Sequence, residues 1–264
     1  SMLHSFYCWG HVAVVALSTL FFSLAGTEHW QVMACIWAAI PLCNAVYFLF
    51  VPLFPVVEEG KGMTIRKLFA TPVFWLLFVL MFCAGSSEQA VSQWASAFAE
   101  SGLHVSKVLG DLLGPCLFAV CMGLSRLLYS LFGGKLRMRP SLSVAALGCI
   151  GGYALCAFAP ASLPVLGLIG CGIVGFSVGI LWPGTFSLST ARLPQGGTAM
   201  FALLALAGDV GCAAGPSAVG ALSDALGGDL RMGIAFGIFF PLLMLVALFF
   251  FREKGTPPAL LPHD

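Results

Sequence analysis

The chain has 264 residues, of which 59% are hydrophobic and only 9% are charged, and its formal net charge at pH 7 is +1. A typical soluble domain has about 25% charged residues, so a soluble fold of this length could not hide so much apolar surface. The near-neutral charge, without a dense basic cluster, also argues against a nucleic-acid-binding protein. The composition therefore predicts an all-α protein whose surroundings are the lipid bilayer.

Eight long apolar runs follow one another along the chain. Most of them approach or exceed the roughly 20 residues that an α-helix needs to cross about 30 Å of hydrocarbon. In chain order, the predicted membrane helices are Leu3–Ala25, Trp30–Phe54, Pro72–Ala97, Leu112–Phe132, Leu142–Ala159, Leu163–Leu188, Thr198–Leu222 and Met232–Phe251.

The basic residues are distributed unevenly between the gaps that separate these runs. Nine of the twelve Lys and Arg residues fall in alternate gaps or in the carboxy-terminal tail, whereas the opposite gaps hold only Lys107 and Arg231. Under the positive-inside rule, the basic gaps and both chain ends lie in the cytoplasm, so we expect a multi-pass protein of the cell membrane. The nine residues are Lys61, Arg66, Lys67, Lys135, Arg137, Arg139, Arg192, Arg252 and Lys254.

The longest gap, Pro55–Thr71, is charged and predicts a flexible linker at a domain boundary. We therefore expect two helices in residues 1–54, the linker in 55–71, a six-helix unit in 72–251 and a tail in 252–264. The last helix of each downstream triplet lacks charge, which is typical of a transporter built from triplet repeats. The first run also begins abruptly at the amino terminus, which favours a piece of a longer protein.

One polar face stands out on the third run. Glu88, Gln89, Ser92 and Gln93 fall within roughly 140° of one another on a helical wheel. Glu88 lies about 24 Å from the start of this run, which indicates the outer half of the bilayer. Its carboxylate either exchanges a proton during transport or hydrogen-bonds a neighbouring helix as a structural group. Trp94, about 120° from Glu88, is either an interfacial aromatic or a stacking surface for a solute.

Two further charged residues lie inside apolar runs. Asp209 is near the middle of the seventh run, and glycines at 208, 211 and 215 predict close helix packing around it. Asp209 is either a proton or ion site or the partner of a cation. For Arg126, a gate or an interhelical ion pair is favoured over direct contact with a solute.

The remaining motifs concern the sixth run and the cysteines. Trp182-Pro183-Gly184 predicts a break in a helix of the kind that borders transporter binding sites. All ten cysteines lie within apolar runs and none has the spacing of a metal site, so we expect packing residues, no metal and no cofactor. The chain also lacks nucleophile, phosphate-loop and paired catalytic carboxylate motifs, and we do not expect an enzyme.

Four segments resemble the major facilitator superfamily, and within it the fucose-permease-like sugar transporter branch. They are Leu3-His4-Ser5-Phe6 followed by Gly10; Gly85 with Glu88 and Trp94; Trp182-Pro183 with Phe186-Ser187-Leu188; and Gly215-Pro216 with Gly220 and Ser223-Asp224.

The resemblance covers nearly all of the chain and implies that the eight runs are helices 5 to 12 of a twelve-helix fold. Residues 55–71 would then form the central cytoplasmic loop, and the full-length protein would be a monomer. The resemblance places Glu88, Gln89, Gln93 and Trp182 near the solute.

Together these observations favour a secondary active transporter that moves a small polar solute, such as a sugar, by alternating access. The expected substrate-binding residues are Glu88, Gln89, Ser92, Gln93, Trp94 and Trp182. Glu88 is the first candidate for proton coupling and Asp209 the second, and Arg126 is the expected gate. The alternatives are a drug or metabolite efflux transporter and, in another class, a membrane receptor or assembly subunit that does not transport.

Overall fold

The computed structural model of the chain describes residues 2–52, 62–102, 105–160 and 162–251. Within these ranges all regular structure is helical. Eight helices are long and apolar enough to cross a membrane, which confirms the predicted number of spans. They are α1 Ser5–Ala25, α2 Thr27–Phe48, α3 Pro72–Glu100, α4 Lys107–Lys135, α5 Met138–Phe158, α6 Pro164–Arg192, α7 Gly197–Ala225 and α8 Leu230–Phe250.

The start of α4 differs most clearly from the predicted run. The helix begins at Lys107 rather than at Leu112. Its first residue is charged and contacts two carboxylates, since the Lys107 Nζ atom lies 3.2 Å from Oε1 of Glu100, at the end of α3, and 3.2 Å from Asp111 Oδ1. The length of an apolar run therefore underestimates the length of a membrane helix whose end extends into a polar cluster.

Part of the predicted linker lies outside the described residues. α2 ends at Phe48, before the predicted Phe54, and residues 53–61 are not among those described. The same holds for the predicted tail 252–264, and so for Lys61, Arg252 and Lys254.

Part of the described linker is helical. A short helix spans Ile65–Phe69, and the Thr64 side chain caps it by accepting a hydrogen bond from the Lys67 backbone N–H at 3.4 Å. Leu68 in this helix is fully buried. The threonine cap and this apolar anchor, rather than the surrounding charges, determine the local structure.

The packing of α3 against α7 depends on small residues. A methyl group added at Gly215 would lie 2.6 Å from the carbonyl oxygen of Ser86, and one added at Gly211 would collide with the carbonyl of Phe82. The Ser86 hydroxyl donates a hydrogen bond to the Gly211 carbonyl at 3.1 Å. The glycines of α7 therefore form the close packing surface that their spacing predicts.

The first two helices lie at the edge of this arrangement. α1 packs against α4, whereas many large apolar side chains of α1 and α2 are exposed in the described chain. α3 to α8 form a more closely packed group, in which α5 also pairs with α6. The approach of α1 to α4 brings a tyrosine towards the charged residues of the six-helix group.

Candidate functional site

Glu88 of α3 and Arg126 of α4 form a buried ion pair. The Arg126 Nη2 atom lies 3.2 Å from Glu88 Oε2, and the two residues are only 4% and 5% exposed. Glu88 lies roughly 24 Å from the start of α3 and roughly 18 Å from its end, at 1.5 Å per residue. Because α3 continues past the predicted end at Ala97, Glu88 is nearer the middle of its helix than the sequence indicated.

A second contact of Arg126 follows from a proline in α6. In a regular helix the N–H of residue 183 would donate to the carbonyl of Gly179, but Pro183 has no N–H. The Arg126 Nε–H donates to that carbonyl instead, at 3.2 Å. The helix is interrupted here, between the segments Pro164–Val178 and Leu181–Arg192. The break expected from Trp182-Pro183-Gly184 is present, and it supplies an acceptor to a buried arginine.

Tyr7 of α1 completes the surroundings of this arginine. The guanidinium carbon of Arg126 lies 5.3 Å from the centroid of the Tyr7 ring. That distance is within the range of a cation–π interaction. Arg126 therefore joins four helices: its own α4, α3 through Glu88, α6 through the Gly179 carbonyl and α1 through Tyr7.

A cavity of about 300 Å³ lies beside the ion pair. Asp209 of α7 is exposed and lines this cavity, and within the described ranges its carboxylate has no hydrogen-bond or ion-pair partner. The cavity thus contains one compensated and one uncompensated carboxylate. Its full lining is Tyr7, Glu88, Arg126, Trp182, Phe186, Ala205, Asp209 and Cys212.

The aromatic side of this cavity is built by α6. The Trp182 and Phe186 rings lie with their centroids 6.2 Å apart. The Trp182 indole packs directly over Gly208, where an added methyl group would collide with the six-membered ring. Because Gly208 precedes Asp209 in α7, the indole lies against the turn of helix that carries the uncompensated carboxylate.

The other polar residues of α3 line a second, larger cavity. Gln89, Ser92 and Gln93 face a space of about 730 Å³ that α1 and α2 also border. Tyr7 lines both cavities. The polar face predicted on α3 is therefore divided: Glu88 belongs to the smaller cavity and the uncharged residues to the larger one.

Trp94 takes a different position from the other predicted binding residues. Its indole N–H donates a hydrogen bond to the Pro216 carbonyl of α7 at 2.9 Å, and the ring packs over Gly220. It does not line either of these two cavities. In this structure Trp94 connects the carboxy-terminal halves of α3 and α7.

Sequence reasoning missed Tyr7 and Gly179, which both contact Arg126. Tyr7 is an aromatic residue in an apolar run, and no local pattern distinguishes it from a lipid-facing side chain. For Gly179 a signal was present, since a proline four residues later leaves its carbonyl without a helical donor.

Comparisons with known proteins agree with this helical arrangement. The family model described as Major Facilitator Superfamily matches residues 1–216, which is most of the chain. No curated protein matches the chain significantly.

Proposed function

Since the chain belongs to the major facilitator superfamily of membrane transporters, we propose that it moves a small polar solute across the cell membrane by alternating access, driven by a proton gradient. The observation that carries this proposal is the buried Glu88–Arg126 pair beside a cavity that also holds Asp209. Ionisable residues inside membrane helices are costly and are kept mainly where they line a solute or ion pathway. The placement of both termini in the cytoplasm and the correspondence with helices 5 to 12 belong to the same proposal.

The proposed coupling step is a change in the contacts of Arg126. When Glu88 binds a proton, its attraction to Arg126 falls, and the ion pair that holds α3 to α4 weakens. Arg126 keeps its contacts with the Gly179 carbonyl and the Tyr7 ring, so it is not left as an isolated buried charge. Protonation thereby shifts the population towards a state in which α3 and α4 can separate.

The polar residues of the two cavities supply the solute site in this proposal. Glu88 and Trp182 act in the smaller cavity, and Gln89, Ser92 and Gln93 offer hydrogen bonds in the larger one. A sugar is the finer expectation from the sequence resemblance. Arg126 serves as the gate because its contacts reach four helices.

Transport can be tested in proteoliposomes with the protein expressed from its complete reading frame. An imposed inward proton gradient should drive the accumulation of at least one labelled polar solute, and an uncoupler should abolish it. The same vesicles without a gradient are the control. Accumulation that requires a sodium gradient and ignores the uncoupler would overturn proton coupling, and the absence of any solute movement would overturn transport.

The aromatic wall of the smaller cavity favours one second candidate, efflux of a drug or metabolite. Tyr7, Trp182 and Phe186 offer apolar ring surface to a ligand. Inside-out vesicles distinguish the two directions, since an exporter would accumulate its substrate there when the proton gradient is directed outward from the vesicle lumen. A proton-coupled importer that moves solute and proton in the same direction would lose solute from the lumen under that gradient.

A further inference from the structure

The charge balance of the smaller cavity is negative. Of its eight lining residues, three carry formal charges, and the opposite charges of Glu88 and Arg126 form an ion pair. Asp209 is left as the uncompensated charge of the wall, because its carboxylate has no hydrogen-bond or ion-pair partner among the described residues. Carboxylates inside membrane helices face the bundle interior or a water-filled cavity and mark solute or ion pathways, so a bound cationic solute can act as the partner of Asp209.

The aromatic rings beside Asp209 fit the same kind of ligand. The Trp182 indole packs on Gly208, immediately before Asp209, and Phe186 extends the ring surface along α6. A cation gains attraction from the face of an aromatic ring, most strongly from tryptophan. A carboxylate next to two rings is therefore a suitable site for the ammonium group of an organic ligand, whether the rest of that ligand is apolar or polar.

An anionic solute does not fit this wall. Arg126 is the cation of the lining, and it already contacts the Glu88 carboxylate, the Gly179 carbonyl and the Tyr7 ring. An anionic group would have to displace one of these contacts and would also face Asp209. The volume of about 300 Å³ restricts the ligand in the cavity to a small molecule or to the amine end of a larger one.

We infer that Asp209, Trp182 and Phe186 form a subsite for a protonated amine, and that the transported solute is a small organic cation. This inference rests on the proposed transport function and narrows its substrate class. It also divides the roles of the two acidic residues: Asp209 binds the amine of the solute, and Glu88 exchanges the proton. Tyr7 and Trp182 then contact the part of the solute next to its charge.

Matched pairs of probes test this subsite by isothermal titration calorimetry on the purified protein in nanodiscs. Tyramine and tyrosol differ in one group, an ammonium in the first and a hydroxyl in the second, and glucosamine and glucose form a similar pair. We expect the amine of at least one pair to bind at least about tenfold more tightly than its neutral counterpart. A difference of this size is expected when an ion pair is combined with a cation–π contact.

Variants of Asp209 test whether its carboxylate causes the preference for amines over their neutral counterparts. Asp209→Asn should remove the preference for the amine, and Asp209→Glu should restore part of it and guard against a folding defect in the asparagine variant. Asp224→Asn is the matched control, because Asp224 lies near the end of the same helix, is exposed and does not line the cavity. This control should keep the wild-type preference.

The outcomes separate the subsite from the transport proposal. The subsite is overturned if neither amine binds better than its neutral partner, or if Asp209→Asn keeps the preference. If an amine binds in an Asp209-dependent way but no solute crosses the proteoliposome membrane, the subsite stands and transport falls. If only neutral solutes accumulate under a proton gradient, transport stands and the subsite falls.

Discussion

Arg126 on α4 donates a hydrogen bond to the carbonyl group that Pro183 on α6 leaves without a helical donor. The Arg126 Nε atom and the Gly179 carbonyl oxygen are 3.2 Å apart, and Pro183 lies four residues after Gly179. A proline inside a membrane helix is tolerated where another group satisfies the freed carbonyl. Here the satisfying group is also the partner of Glu88, so the helix break and the buried ion pair form one unit.

The first prediction concerns Pro183→Ala. Alanine supplies an N–H at position 183 that competes with Arg126 for the Gly179 carbonyl. A hydrogen bond to a charged group contributes about 1.5–3 kcal/mol, so its loss should slow uptake by roughly tenfold or more while the protein stays folded. Uptake rates in proteoliposomes measure this effect.

Pro41→Ala is the matched control for that variant. Pro41 also lies inside a membrane helix, but it is exposed on α2, outside both cavities. Its substitution should leave the uptake rate at the wild-type level. Wild-type uptake by Pro183→Ala would show that the Arg126–Gly179 contact has no part in transport.

The second prediction concerns the stability of the Glu88–Arg126 pair. Arg126→Met leaves a buried carboxylate without its cation, and we expect a loss of about 3–5 kcal/mol in the free energy of unfolding. The double variant Glu88→Gln/Arg126→Met removes both charges and should recover much of this loss. Denaturant unfolding in detergent, followed as a double-mutant cycle, measures the coupling.

An exposed ion pair provides the comparison for this cycle. Lys107 contacts Glu100 and Asp111, but its side chain is 59% exposed. Lys107→Met should therefore cost less than about 1 kcal/mol. Equal losses for Arg126→Met and Lys107→Met would contradict a buried, solvent-shielded pair at Arg126.

The third prediction concerns the packing of α3 on α7. Gly211→Ala places a methyl group against the backbone carbonyl of Phe82, which cannot rotate away, and we expect a loss of about 1–3 kcal/mol in stability. Gly151→Ala in α5 meets no atom within 4 Å and should leave the unfolding temperature unchanged or slightly higher. Thermal unfolding in detergent compares the two. A Gly211→Ala protein as stable as Gly151→Ala would refute the close contact of α3 with α7.

The fourth prediction concerns the side of the membrane on which the loops lie. Single cysteines at Lys67 and Arg137, in a background without the native cysteines, should react with an impermeant maleimide only from the cytoplasm. Cysteines at Lys107 and Gly228 should react only from outside. Reaction of positions 67 and 137 from opposite sides would show that the predicted threading is wrong.

The membrane helices were predictable because each is a long apolar run whose length matches the bilayer. The polar start of α4 was not, since Lys107 and Asp111 resemble loop residues until their mutual contacts are known. The helix at Ile65–Phe69 was missed for a similar reason, because its charged residues conceal a threonine cap and a buried leucine.

The candidate site was predictable residue by residue but not as a set of contacts. Glu88, Arg126 and Asp209 stand out as charges in apolar runs, and an interhelical ion pair was one of the predictions for Arg126. The sequence does not reveal whether Arg126 contacts Glu88 or Asp209. That choice depends on how three helices are rotated relative to one another, and no local pattern contains this information. Trp94 shows the same limit, since its hydrogen bond to Pro216 depends on how α3 packs on α7.

The most direct test of the account is the transport behaviour of Glu88→Gln in proteoliposomes. If Glu88 couples solute movement to protons, this variant should lose accumulation driven by a proton gradient but keep counterflow exchange of labelled for unlabelled solute. Retained counterflow also shows that the variant is folded and binds its solute. Accumulation equal to that of the wild type under the same gradient would contradict the central claim that Glu88 carries the proton.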